Sequence, residues 1–207
     1  GGVMIMDIDD LDNIAVVDTS ILGWYGSSNG YTVVKDIDFD LLGNLWVINT
    51  YVVNKNTPLH VRDIYGQWKS YGSEETSVKI SQSPISSTFD SWSRVWLSAF
   101  QADEANLGIY PNGGIFMLSY NGSPQNPESF QWNTIITNQT VWSIASTKNN
   151  RVYYLTPTGL NYYDINGSIN PIINQSSYPY FPNISFGMGS KIKIDPNGNI
   201  WSLSPNQ

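Results

Sequence analysis

Cysteine is absent from the 207-residue chain, and histidine occurs once, as His60. The first absence excludes disulfides, thiolate metal sites and cysteine nucleophiles together. The second leaves one imidazole for acid and base work near neutral pH. Charge is also scarce: 13% of residues are Asp, Glu, Lys or Arg, and ten basic against seventeen acidic residues give a net charge of −7. A surface that tracks phosphates needs clustered lysine and arginine, so nucleic acid is not an expected partner. No run of apolar residues is long enough to span a membrane. The opening Gly1-Gly2-Val3-Met4 lacks the basic start and long apolar stretch of a signal peptide, which places any targeting signal outside this chain. Strong helix formers are few, with five Ala and four Glu.

What is abundant points to strands and tight turns: twenty-two Ile, twenty-two Asn, twenty-five Ser, thirteen Tyr and eight Trp. An all-β domain is expected. A chain of this length buries roughly 70% of the surface its unfolded form exposes, so one core forms without a metal or crosslink. With so little charge, solubility rests on amides and hydroxyls, a surface in keeping with a secreted, cell-surface or periplasmic setting.

The chain repeats itself. Asp195-Pro196-Asn197-Gly198-Asn199-Ile200-Trp201 matches Asp40-Leu41-Leu42-Gly43-Asn44-Leu45-Trp46 at the Asp, Gly, Asn, aliphatic and Trp positions. Three weaker copies share the frame: Asp90 to Trp96, Asp9 to Ala15, and Thr147 to Tyr153. Their aliphatic positions stand at 14, 45, 95, 152 and 200, giving steps of 31, 50, 57 and 48 residues. Each copy lies between two strand-like runs and reads as a hairpin loop, in which aspartate bonds backbone amides and Gly or Asn takes the left-handed region. In the fourth copy Asn149-Asn150 can play that part. Third strands are expected at Leu59 to Tyr65, Gly114 to Tyr120 and Gly159 to Ile165, and fourth strands at Trp68 to Tyr71 and Phe130 to Ile136. Four short strands per period of about 50 residues describe a propeller blade.

These residues carry a resemblance. G-N-L-W and G-N-I-W after an aspartate, with strands such as Thr158-Gly159-Leu160-Asn161-Tyr162-Tyr163-Asp164, resemble the two-component-regulator propeller repeat over nearly the whole chain. Departures are Ala15 in place of Trp, and missing glycines in the first, third and fourth copies. The resemblance implies four to five blades of four antiparallel strands, part of a ring of seven or more. The expected division is an incomplete blade over 1–31, blades over 32–77, 78–137 and 138–185, and a partial blade over 186–207. The chain stops at Asn206-Gln207, directly after a second strand, and this reads as a cut that leaves open strand edges for self-association. Such blades occur in bacterial hybrid sensors and in proteins linked to type IX secretion.

Several residues invite chemistry and have a simpler use. Trp46, Trp96, Trp201 and Tyr153 could stack on sugars, but one blade position repeated in every copy is what packing between blades produces, so equivalent buried sites are expected. Asp7, Asp9, Asp10 and Asp12, with the pair Asp36 and Asp38, could suggest calcium, but their spacing follows no calcium-loop order, and a solvated turn and strand edge is the simpler reading. His60 stands at the start of a third strand with no catalytic partners in view. The N-x-S/T matches at Asn121, Asn138, Asn166, Asn174 and Asn183 are expected by chance in so Asn- and Ser-rich a chain.

Streptogramin lyases and gluconolactonases build propellers from similar turns and use a metal. One histidine does not fill the lyase constellation, and none of Glu74, Glu75, Glu104 or Glu128 lies on an expected first strand for a lactonase site. No catalytic residue, metal or cofactor is therefore assigned. The expected function is a non-catalytic binding or sensing module for an unidentified protein, peptide or glycan. The alternatives are a docking part of a secretion or surface assembly and, further off, a metal-dependent lyase or lactonase. Ligand loops are expected at Thr50 to Asn56, Gln101 to Asn112 and Thr156 to Thr158, with Asp103, Glu104, Asn106 and Tyr110 of the long middle loop as candidate ligand-binding residues.

Overall fold

The computed structural model describes residues 2–17, 33–50, 57–72, 84–101, 113–164 and 186–203. These form fifteen strands and one 3-10 turn, Pro127–Ser129. Strands β1 (Val3–Met6) and β2 (Ile14–Val17) make the first sheet. β3 (Val33–Phe39), β4 (Leu45–Thr50), β5 (Leu59–Arg62) and β6 (Trp68–Tyr71) make the second. β7 (Pro84–Phe89), β8 (Val95–Ala99), β9 (Gly114–Ser119) and β10 (Gln131–Thr137) make the third. β11 (Ser143–Ser146), β12 (Val152–Thr156) and β13 (Gly159–Tyr163) follow, and β14 (Lys191–Ile194) with β15 (Ile200–Leu203) closes the series. Every pairing is antiparallel and every sheet is a meander.

The sheets stack face on face, which explains why Leu45–Thr50 is buried at all six positions rather than at alternate ones. One face of β4 carries Leu45 and Val47, packed with Val3 and Val17 of the first sheet. The other carries Trp46 and Ile48, packed with Val95, Leu97, Phe116 and Leu118 of the third. Trp96 and Ile115 of the third sheet meet Ile144, Val152 and Tyr154 of the fourth. Leu155 and Leu160 of the fourth meet Ile192 of the fifth. Period-two alternation thus serves two interfaces at once.

Inner strands are tied edge to edge across the blades. Ser87 N–H donates to Asp36 Oδ2 at 2.7 Å, Ser146 N–H to Thr88 Oγ1 at 3.1 Å, and Ile192 N–H to Ser143 Oγ at 3.1 Å. Lys191 Nζ lies 3.5 Å from Asp36 Oδ1, linking the fifth sheet to the second. Asp36 is therefore an anchor between blades, not a solvated strand edge.

Three further sequence expectations need correction. Trp46 and Trp96 are buried as expected, but Trp201 is 65% exposed, because no described residue packs on that face of β15. β5 ends at Arg62 rather than Tyr65, since Asp63 opens a tight turn into β6. In the first copy the loop between paired Met6 and Ile14 has seven residues, and Asp10, not Asp9, accepts the Asp12 and Asn13 amides that define the turn. The other copies place five residues between their paired strand ends.

Candidate functional site

The five-residue turns share one hydrogen-bond scheme. In the turn headed by Asp40, Oδ1 accepts the amides of Leu42 and Asn44 at 2.9 Å each. Its backbone oxygen accepts Gly43 N–H at 3.0 Å. Oδ2 accepts Asn44 Nδ2 at 2.8 Å and the Trp46 indole N–H at 2.9 Å, together with the Tyr120 hydroxyl. Burial alone would raise the Asp40 pKa, but the donors from Tyr120, Trp46 and Asn44 outweigh it and hold the carboxyl below its ordinary value. Asp90 repeats the scheme with Trp92, Arg94 and Trp96 as donors, Arg94 replacing the usual asparagine. Asp195 repeats it with Asn197, Asn199 and Trp201, and these hydrogen bonds, Asn199 first, hold its carboxyl down to about 2.

The fourth turn departs from the scheme because it begins with threonine. Thr147 Oγ1 accepts Arg151 N–H at 3.1 Å, and the backbone closes as elsewhere, with Asn150 N–H to Thr147 O at 2.9 Å. A hydroxyl reaches only one of the two amides that a carboxylate oxygen bridges. Asn149 N–H, the counterpart of Leu42 and Trp92, has no acceptor among the described residues.

The neighbouring turns meet differently on the two sides of this one. On the third-sheet side, Asn150, in the left-handed region at φ 60°, turns its Oδ1 to Ser91, accepting the amide at 2.7 Å and the hydroxyl at 2.6 Å. On the fifth-sheet side the residue equivalent to Asn150 is Gly198, at φ 87°, where an added Cβ would meet nothing within 4 Å. The bridge is missing and a cleft of about 710 Å³ opens, lined by Thr147, Lys148, Asn149, Arg151, Tyr153 and Asp164 on one wall and Asp195 to Gly198 on the other. Lys148 N–H, equivalent to Ser91 N–H, has no acceptor among the described residues, and the Lys148 ammonium makes no ion pair among them. Arg151 is held by Asp164 at 3.3 Å, and its guanidinium carbon lies 4.6 Å from the centre of the Tyr162 ring.

This cleft lies at the rim of the first hairpin turns, the opposite end of the strands from the β12–β13 turn, which includes Thr156 to Thr158, one of the loops expected to hold a ligand. Asp103, Glu104, Asn106 and Tyr110 lie outside the described residues. His60 is buried in β5, opposite Val47 and Ser70, with Nδ1 2.7 Å from Ser70 Oγ. Burial lowers its pKa to about 3, so it stays neutral near pH 7 and out of reach of a ligand. Among the described residues no group of three His, Asp or Glu could hold a metal ion, and no helix is long and apolar enough to cross a membrane.

Solved structures decide the architecture. The extracellular domain of a candidate one-component system of B. thetaiotaomicron aligns over 99% of this chain and 24% of its own, with TM-score 0.64 and 16% identity. A gluconolactonase of Xanthomonas campestris aligns over 98% and 62%, with TM-score 0.63 and 10% identity. The fold is a β-propeller. PorZ, a surface component of the type-IX secretion system of Porphyromonas gingivalis, aligns over 92% and 28%, with TM-score 0.61 and 15% identity. The chain therefore spans between about a quarter and under two thirds of the length of these propellers. It matches no protein-family model and no curated protein.

Proposed function

We propose that the chain is a non-catalytic binding module of a bacterial secreted, surface or periplasmic protein, built from repeats of the two-component-regulator propeller type. The cleft between the fourth and fifth blades carries this reading. It gathers cationic, amide and aromatic groups at a rim, whereas the single imidazole and the carboxylates of Asp40 and Asp90 are buried in structural bonds. A site rich in positioned donors without a nucleophile and base in contact binds rather than reacts. The extracellular sensor and surface neighbours agree with that setting; the lactonase neighbour shares the fold, which does not by itself bring a reaction.

Docking within a surface assembly is the second reading, favoured by the exposed apolar side chains of the end sheets, Met4, Ile14 and Val16 in the first and, beside Lys193 and Lys191, Trp201 and Leu203 in the fifth. A thermal-shift screen of oligosaccharides, peptides and small metabolites separates the two. A ligand that stabilises the chain, and loses its effect when Asn149→Trp fills the cleft, supports the binding module. Chelator-sensitive lactone hydrolysis or lyase turnover by the same preparation would overturn the non-catalytic reading.

A further inference from the structure

The strongest unassigned feature is the pair of amides that the Thr147 turn leaves open. Among the aspartate-headed turns the third-residue seat is always filled by the protein itself, and both seats are filled in the Asp90 turn; Leu41 N–H has no acceptor among the described residues and Pro196 has no N–H. A carboxylate oxygen takes the amide of the third turn residue at Leu42, Trp92 and Asn197, at 2.9 to 3.0 Å. A side-chain amide oxygen takes that of the second turn residue at Ser91, at 2.7 Å. At Lys148 and Asn149 both N–H groups lack an acceptor among the described residues, one because Thr147 stands where aspartate would, the other because Gly198 stands where asparagine would. Both residues line the cleft, beside the Arg151 guanidinium and the Lys148 ammonium.

We propose that the Thr147–Arg151 turn binds the carboxylate of a small-molecule ligand, whose oxygens take the seats that the Asp90 and Asn150 side chains fill in the Asp90 turn. Successive backbone N–H groups in a turn form an anion-binding concavity, and a planar guanidinium already oriented by Asp164 and Tyr162 loses little freedom on pairing with a second carboxylate. Two of the four charged groups lining the cleft are acidic, but neither competes for the ligand seat: Asp164 is paired with Arg151, and Asp195 accepts four hydrogen bonds within its own turn. Lys148 makes no ion pair among the described residues. This inference rests on the cleft being a binding site and specifies the chemistry it takes.

The test is an amide-resolved NMR titration of the 207-residue chain with galacturonate and with N-acetylglutamate, each beside its neutral counterpart, galactose or N-acetylglutamine. Both acids, or one of them, should move the Lys148 and Asn149 amide signals, while the neutral partners require at least tenfold higher concentration. If only one acid acts, it names the scaffold that carries the carboxylate. Thr147→Asp restores the internal acceptor, keeps the turn intact, and should abolish the shifts; Gly198→Asn, placed where asparagine tolerates positive φ, should weaken them. Unmoved Lys148 and Asn149 signals with both acids, or shifts that persist in Thr147→Asp, overturn the carboxylate assignment. Neutral ligands that move the same amides as strongly as the acids also overturn it, while leaving the cleft a binding site.

Discussion

The turns headed by Asp40 and Thr147 trace the same five-residue loop, with the same closing backbone bond at 3.0 and 2.9 Å. They differ in what the first side chain can accept. Asp40 gathers amides, an asparagine, an indole and a phenol onto one buried carboxylate and so ties two blades together. Thr147 closes its own loop and leaves the Asn149 amide, in a residue that lines the cleft, without an acceptor among the described residues. A repeat can thus keep its backbone geometry while one position moves from packing to recognition.

The sharpest contrast is between equivalent tryptophans. Trp46→Ala empties a fully buried site and should cost about 3–5 kcal/mol in denaturant unfolding. Trp201→Ala, at a 65% exposed position, should cost about 1 kcal/mol or less. Equal losses would mean that the Trp201 face is covered in solution.

Next in size is the aspartate pair. Asp40→Ala strands several buried donors and should cost about 2–4 kcal/mol, since hydrogen bonds to a charged acceptor are the stronger kind. Asp195→Ala removes the same bonds in open solvent and should shift the unfolding midpoint much less. Because the folded Asp40 pKa lies below the ordinary 3.8, its contribution is complete above that value and is lost as pH falls below it.

His60 acts in a higher pH window. Its folded pKa is about 3 against an ordinary 6.5, so between these values the unfolded chain binds the additional proton. Stability is complete above about pH 6.5 and declines on acidification, by about 1.4 kcal/mol per pH unit. His60→Gln should flatten the stability profile between pH 6 and 4, and an unchanged slope would show that other groups set it.

The smallest effect has the opposite sign. Thr147→Asp should stabilise the chain by about 0.5–1.5 kcal/mol, because the carboxylate regains the Asn149 amide. A loss of stability would show that the fourth turn is not built like the others.

The fold was legible because Asp40-Leu41-Leu42-Gly43-Asn44-Leu45-Trp46 encodes a loop, a strand start and a packing residue in seven positions. A further turn with the same aspartate and glycine spacing, Asp63-Ile64-Tyr65-Gly66-Gln67, lies in the third hairpin, with Trp68 at the aliphatic position of the repeat, and marks the early end of β5. It is harder to read from sequence because Gln67 and Trp68 replace the Asn-aliphatic pair that marks the first hairpins. The shifted first copy is hard to read for a different reason: four aspartates between positions 7 and 12 offer several frames, and only the pairing of Met6 with Ile14 selects one. The exposure of Trp201 depends on what packs beyond it, which local pattern does not encode. The cleft was hidden because it arises from missing groups, a threonine without a second oxygen and a glycine without an amide, whose effects appear only when neighbouring turns are set side by side.

Residue-resolved hydrogen exchange of the free chain tests this division of labour most directly. Slow exchange at Ser91, Trp92 and Arg94, beside exchange close to that of an unprotected peptide at Lys148 and Asn149, is the expected result. Equal protection of the two turns would contradict it, because the Lys148 and Asn149 amides would then already have acceptors and the cleft would hold no open seat for a ligand.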